Sequence, residues 1–315
     1  MTTQYGTAVL GSMTFGDTVD EAAAAETLAL AAAAGVRMVD TANAYAGGET
    51  ERMLGRLLTD DRFLIATKAG MPHPDAGDRP PLSPAALRDC LHGSLKRLGR
   101  DRVDLFYLHQ PDRDTPIEAT LTAIGELLAD GTIGAYGVSN FAAWQIAQIQ
   151  ATADRLGIAR PVVAQQLYNL VARGLDTEYA EFAQSTGLAT MVYNPLGGGL
   201  LTGRHRYAER PEAGRFGTSR LAAMYTDRYW NEQLFTAIDA LGRIAADTGV
   251  PLVELSLRWL LGRPVTDAVL VGGSAPHQIA ANLAALARGP LPADALAACD
   301  EVGRALRGPM PAYNR

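Results

Sequence analysis

Short β-branched runs alternate with Ala- and Leu-rich stretches of helical period along this chain, and that alternation leaves few folds open. The runs are 7–13 (TAVLGSM), 36–40 (VRMVD), 62–68 (RFLIATK) and 103–109 (VDLFYLH). They continue with 132–139 (TIGAYGVS), 162–167 (VVAQQL), 188–193 (LATMVY) and 267–272 (DAVLVG). Helical periodicity fills segments such as 22–34, 49–58, 84–98, 116–129, 142–156 and 178–186, with Asp20, Ser83 and Thr115 placed to cap three of them. Eight strand–helix units in 315 residues, somewhat above the ~250 typical of the architecture, predict a (β/α)8 TIM barrel built from 1–315 as a single domain. A doubly wound open sheet is the competitor. No GxGxxG fingerprint follows the first run, which counts against it.

Composition enters where it excludes functions. A net charge of −6 is mild for this size and offers no nucleic-acid or anionic-membrane surface. No uninterrupted apolar stretch reaches the ~18 residues of a membrane span. The start, MTTQYGTAVLG, lacks the basic and apolar regions of a signal peptide. Two cysteines, Cys90 and Cys299, have no CxxC or metal-ligand spacing, so a cytoplasmic protein with free thiols and no metal is expected. Two segments break the rhythm. Residues 72–81 (PHPDAGDRPP) form a loop without an assignable role. Residues 196–229 mix glycines with six arginines and read as a lid over a ligand. A C-terminal helix over 292–307 and an irregular tail complete the chain.

In such a barrel the chemistry collects at the C-terminal ends of the strands. Asp40, Lys68 and His109 each close a run, and Tyr45 follows the second. Singly, each has an ordinary explanation: a helix cap, a solvated cation, a turn histidine, a rim aromatic. Jointly they form a proton-donating set. Free tyrosine ionises near pH ~10, and a neighbouring ammonium favours the phenolate, drawing the phenol toward a useful acidity.

These residues carry a resemblance. The stretch 40–55 (DTANAYAGGETERMLG), then RVDLFYLHQPD, GVSNF (137–141) and QQLYN (165–169), are similar in order and spacing to the aldo-keto reductases. The resemblance covers essentially the whole chain. It implies a catalytic tetrad of Asp40, Tyr45, Lys68 and His109, with Tyr45 and His109 also meeting the substrate, and NADPH-dependent reduction of small aldehydes or ketones. The segments 193–207 (YNPLGGGLLTGRHRY), 214–216 (GRF), 224–235 (MYTDRYWNEQLF) and the ending AYNR resemble the aflatoxin-aldehyde reductase branch. Members of that branch also reduce succinic semialdehyde and related dicarbonyls, and the branch implies a homodimer.

Residue chemistry accords with cofactor binding at further positions. Ser139, Asn140 and Gln165 offer the donors and acceptors that a carboxamide needs, although Ser139 and Asn140 would serve equally as a helix cap. Tyr193 supplies a ring for stacking, and the glycines at 197–199 let backbone amides approach a pyrophosphate. By the resemblance, Met13, Asn194, Leu196, Gly198, Leu200, Arg204 and Arg215 wrap the cofactor, and Gly273, Ser274, Gln278 and Asn282 hold its adenosine end. Relatives commonly carry a cation there, whereas 271–287 has neither Lys nor Arg, which keeps NADH open as an alternative cofactor. Tyr225, Arg228 and Arg315 match positions that contact an acidic substrate, and a guanidinium binds a carboxylate in bidentate fashion. Met13 and Trp230 are candidate apolar walls. Two other functions share the fold: a regulatory subunit of the channel β type and a biosynthetic ketoreductase. Similarity of lid and tail to detoxifying reductases favours the enzyme over the first.

Overall fold

The computed structural model describes residues 4–309. Its centre is a closed barrel of eight parallel strands in sequence order. The strands are β1 (Ala8–Gly11), β2 (Met38–Asp40), β3 (Leu64–Ala69), β4 (Leu105–Leu108), β5 (Tyr136–Ser139), β6 (Val163–Leu167), β7 (Ala189–Tyr193) and β8 (Ala268–Val271). Between them run α1 (Glu21–Ala33), α2 (Glu49–Leu57), α3 (Pro84–Leu98), α4 (Ile117–Ala129), α5 (Ala143–Leu156) and α6 (Tyr179–Thr186). After β7 come α7 (Ala222–Tyr229), α8 (Glu232–Thr248) and α9 (Leu252–Leu261); α10 (Pro276–Ala287) and α11 (Ala293–Arg307) follow β8. Closure is direct, with Val9 of β1 in register with Leu270 of β8.

Strand side chains alternate between lumen and helix layer. The lower lumen packs Val9, Met38, Ala66, Leu105, Tyr107, Val163, Met191 and Ala268 into one apolar cluster. Two residues further along the same strands, the same parity delivers Asp40, Lys68, His109, Gln165 and Tyr193 to the upper rim. Gly137 keeps this filling possible. A Cβ there would lie 2.7 Å from the Val163 carbonyl oxygen and 2.8 Å from the Tyr107 ring. The alternate residues, among them Leu10, Val39, Ile65, Phe106, Val138 and Val192, face the helices and build the larger core.

The expected (β/α)8 barrel is present, with strands shorter than the β-branched runs that announced them. Lys68 is the penultimate residue of β3, and His109 lies one residue past β4. Asp20 caps α1, its carboxylate accepting from the Ala23 amide at 2.9 Å. Ser83 occupies the cap of α3 without a side-chain bond. Thr115 does not cap α4. Pro116 holds that position, and the Thr115 hydroxyl donates to Asp112 at 2.8 Å instead.

The long connection after β7 is ordered by its own small core. Turns at Gly197–Thr202 and Gly214–Phe216 lead into α7. Trp230 packs against Phe216, Phe235 and His205, with ring centroids 5.2, 4.9 and 5.9 Å away, and its indole N–H donates to the Tyr207 carbonyl oxygen. Trp230 is therefore part of the lid's interior. The predicted C-terminal helix forms as α11 against α8. Asp300 fastens it to the barrel layer, accepting from the Trp259 indole at 3.0 Å and from Arg263 at 2.7 Å. The tail with Arg315 lies outside the described residues. Cys90 and Cys299 are free thiols, both fully buried, and burial pushes each up to about 11. Among the described residues no helix is long and apolar enough to cross a membrane.

Candidate active site

Three strand ends, those of β2, β3 and β4, bring the tetrad together at the top of the lumen. The Lys68 ammonium, fully buried, donates to an Asp40 carboxylate oxygen, to the Thr41 carbonyl oxygen at 2.8 Å and to the Tyr45 hydroxyl at 3.1 Å. The other Asp40 oxygen accepts from the Gln165 amide at 2.8 Å. Ser12 ties β1 to the same place, its hydroxyl donating to the Asp40 carbonyl oxygen at 2.8 Å. His109 stands edge-on to Tyr45, ring centroids 6.0 Å apart and planes at 81°. Its Nδ1 is buried without a hydrogen-bond partner among the described residues.

Burial dominates the charge states. It pushes the Asp40 carboxyl up, against the pull of Lys68. Both Asp40 oxygens face hydrogen-bond donors, so the carboxylate is the form this pocket accommodates. Burial also works against the Lys68 charge, but Asp40 and then Tyr45 more than offset it, and the ammonium is retained. The Tyr45 phenol departs from expectation. Burial pushes it up further than Lys68 draws it down, so its resting form is firmly the neutral phenol. Burial, aided by the Lys68 charge, pushes His109 down to about 3, which keeps the imidazole neutral throughout the physiological range.

Around this centre the candidate cofactor residues form a connected rim. Ser139 ends β5 and Gln165 lies on β6. Asn140 takes a left-handed conformation at φ 65°. Its amide donates to the His109 carbonyl oxygen at 3.0 Å and to the Ser139 hydroxyl at 3.1 Å, while its oxygen accepts from Tyr193 at 2.6 Å. Gln165 donates its amide to Asp40 and, at 3.6 Å, to the Met191 sulfur. Asn194, at φ 59°, accepts from the Gly198 amide at 2.7 Å and donates to the Tyr229 hydroxyl at 2.7 Å.

Gly197, Gly198 and Gly199 follow with φ of 58°, 70° and 101°, and their amides donate to the Asn194 carbonyl oxygen, the Asn194 side chain and the Leu196 carbonyl oxygen. Arg215 lies against Gly198 and stacks its guanidinium 5.1 Å from the Tyr225 ring centroid; Arg204 lies against Gly199. This donor set fits a nicotinamide dinucleotide. A Cβ at Gly198 would strike Tyr225 at 2.5 Å. The Leu200 side chain is buried in the core, whereas Leu196 is partly exposed and Met13 sits in the turn after β1.

Past β8, Thr14 clamps the exit loop by donating to the Gly273 carbonyl oxygen at 2.9 Å. Gln278 accepts from both the amide and the hydroxyl of Ser274, at 3.0 and 3.2 Å. Asn282 is buried on α10.

On the lid, Tyr225 is buried and close enough to Tyr45 to disfavour its ionisation. The half-buried Arg228 reaches the Tyr193 hydroxyl. Burial pushes that phenol to about 12, with Arg228 pulling against it. Arg228 has no carboxylate partner among the described residues.

Sequence reading overlooked the residues behind these. Asn169 donates to the Asn194 carbonyl oxygen at 2.9 Å and to Tyr229 at 3.2 Å, pinning the root of the lid. Its place in QQLYN was the available signal. The buried Glu51 and its partly buried partner Arg97, beneath the Tyr45 turn, were also missed, although Glu51 lies inside the quoted 40–55 stretch.

Comparison with known proteins accords with this geometry. The sequence profile of the Aldo/keto reductase family matches residues 7–304. Aflatoxin B1 aldehyde reductase member 2 of Rattus norvegicus is 36% identical, across 98% of this chain and 87% of its own length. Aldo-keto reductase family 7 member A3 of Homo sapiens is 38% identical, across 90% of this chain and 89% of its own length. A probable voltage-gated potassium channel subunit beta of Oryza sativa subsp. japonica is 31% identical, over 87% of this chain and 85% of its own length.

Proposed function

Since the chain belongs to the Aldo/keto reductase family and is an NAD(P)H-dependent oxidoreductase, we propose that it reduces aldehydes to alcohols, with carboxylated aldehydes such as succinic semialdehyde among them. The observation that carries this reading is the buried Lys68 ammonium joined to both Asp40 and the Tyr45 hydroxyl at the lumen's upper rim. NADPH is the proposed cofactor, with NADH as the alternative, and when bound it supplies the hydride.

The protein's own part is proton transfer and orientation. Tyr45, resting as the neutral phenol, is the acid that protonates the carbonyl oxygen. Lys68 then stands 3.1 Å from the oxygen on which negative charge develops, and Asp40 holds Lys68 in place. His109, neutral and edge-on to Tyr45, orients the carbonyl by hydrogen bonding without adding charge. Ser139, Asn140 and Gln165 hold the carboxamide, and Tyr193 faces the ring. Gly198, Arg204 and Arg215 take the phosphates, with Leu196, Leu200, Asn194 and Met13 lining the strap and Gly273, Ser274, Gln278 and Asn282 the far end. Arg228, together with Tyr225 and Arg315, selects a substrate carboxylate. The setting that goes with this chemistry is the cytoplasm, with detoxification of reactive carbonyls as the role and a second copy of the chain as the protein partner.

The test follows cofactor oxidation with NADPH and NADH against succinic semialdehyde and an uncharged aldehyde of similar size. General-acid catalysis is worth roughly 10²–10⁴-fold, so Tyr45→Phe should lose about that much turnover while keeping its NADPH affinity. Tight NADPH binding without turnover of any carbonyl would instead favour a regulatory, channel-subunit-like role.

A further inference from the structure

The turn that carries Tyr45 is conformationally costly. Ala46, Gly47 and Gly48 follow it with φ of 45°, 62° and 88°, three successive left-handed residues of which one is not glycine. Such a backbone persists only where its surroundings over-determine it. Local hydrogen bonds are mostly long: the Tyr45 amide donates to the Ala42 carbonyl oxygen at 3.2 Å, the Gly47 amide to Ala44 at 3.4 Å and Arg52 to the Gly47 carbonyl oxygen at 3.4 Å, while the Glu49 amide donates to Ala46. The support comes from below.

Arg97, on α3, lies directly under the turn. A Cβ on Gly48 would sit 2.8 Å from the Arg97 Cδ, so the glycine is what lets the guanidinium stem run there. The Arg97 Nε donates to Glu51 at 2.7 Å and its Nη1 to Asp75 at 2.8 Å. Glu51, fully buried on α2 one turn beyond Gly48, uses its other oxygen to accept from the Thr67 hydroxyl at 2.5 Å. Thr67 is the residue before Lys68. Asp75 belongs to the loop 72–81, for which the sequence offered no role. Its carboxylate rests on Gly93 of α3, and the amide of Asp75 donates to the His73 ring at 3.2 Å. One partly buried cation thus joins the helix that begins at the Tyr45 turn, the strand that carries Lys68, and the loop leaving that strand.

We infer that Arg97 is a positioning residue for the Tyr45–Lys68 pair, holding the strained Tyr45 turn through Glu51 and anchoring the Lys68 strand through Glu51 and Thr67. It touches no reacting atom. The inference rests on the reductase reading for its kinetic consequences, but not for its structural ones. The planar, two-sided fork of an arginine suits the role, since it serves Glu51 and Asp75 at once.

The experiment compares wild type, Arg97→Ala, Arg97→Lys and Glu51→Gln, with Arg88→Ser as a control cation on the same helix that pairs with Glu126 at the surface. Three quantities are read on the NADPH-loaded protein: kcat and KM, the isotope effect from 4-deuterated cofactor, and the 13C ring signal of Tyr45, assigned by its loss in Tyr45→Phe. Misplacement by about 1 Å costs up to ~10²-fold, so Arg97→Ala and Glu51→Gln should lose roughly 10–100-fold in kcat, with KM and NADPH affinity within about threefold. The isotope effect should grow, and the Tyr45 signal should move. Arg97→Lys, which keeps a charge beside Glu51, should recover part of the rate, and Arg88→Ser should change nothing.

A folded Arg97→Ala with normal kcat and an unmoved Tyr45 signal overturns the inference. So does a parallel collapse of kcat and cofactor affinity with no recovery in Arg97→Lys. Should Arg97→Ala not fold, Glu51→Gln and Arg97→Lys give the same readings. A wild type that turns over no carbonyl sinks the reductase reading alone, because the Tyr45 signal still reports whether Arg97 sets that turn.

Discussion

Tyr45 and His109 illustrate how one environment serves two chemical needs. Both are driven toward their neutral forms by burial, one as a donor held in reserve, the other as a dipole that adds no charge. The histidine leaves a trace in stability. The unfolded chain takes up its proton near pH 6.5, whereas the folded site refuses it until about 3. The unfolded state therefore binds more protons between those values, and this contribution is complete above 6.5 and lost as pH falls toward 3. Urea midpoints measured from pH 7 to 4 should fall less steeply in His109→Gln than in wild type, and equal slopes would refute the assignment. Arg228 is tested by ligand charge. Hydrogen bonds to charged groups are worth about 1.5–3 kcal/mol, so Arg228→Ala should raise KM for succinic semialdehyde roughly 10–100-fold and leave an uncharged aldehyde nearly unaffected. The position of His109 was readable because it closes a strand-like run, and that of Tyr45 because it follows one. The upward push on Tyr45 was not, since it comes first from burial in the assembled rim, with a small further push from Tyr225 far along the chain.

Individual elements were legible to the extent that their signals are local. The eight strands and the helices named from periodicity occur where hydrophobic pattern places them, within a few residues. The strands were overestimated mainly at their starts: residues 36–37, 62–63, 103–104 and 132–135 precede the ladder, whereas β2, β5, β6 and β7 end where their runs end. Thr115 was misassigned as a cap because a nearby carboxylate, Asp112, competes for its hydroxyl. The lid was recognised as a segment but not as a structure; its aromatic core joins His205, Phe216, Trp230 and Phe235, which no short-range pattern connects. Gly137 in β5 is the clearest element-level test. An added methyl meets the Val163 carbonyl oxygen and the Tyr107 ring, both rigid, so Gly137→Ala should cost about 1–3 kcal/mol, read as a lower denaturant midpoint at unchanged slope.

For the whole molecule, the barrel followed from strand count, alternation and length, because a closed parallel sheet is the arrangement that buries every such strand without leaving an edge. The extra helix α11 was also visible, but not what fastens it. Asp300 gathers the Trp259 indole and the Arg263 guanidinium, with Arg173 3.1 Å away. Removing that carboxylate leaves two partly buried cations facing each other, so Asp300→Ala should lower unfolding free energy by about 1–3 kcal/mol while sparing kcat. A matching loss of kcat would mean that α11 communicates with the rim.

The two sulfur atoms have a bearing on survival. An aldehyde-handling protein meets electrophiles as a matter of course, and soft electrophiles attack the anion of a thiol, not the thiol itself. With both groups pushed to about 11 and sealed from solvent, the anionic form at neutral pH is only about one part in 10⁴ and lies out of reach. The folded chain should therefore resist alkylation by maleimides or unsaturated aldehydes. Labelling at Cys90 and Cys299 would then count the molecules that have come apart.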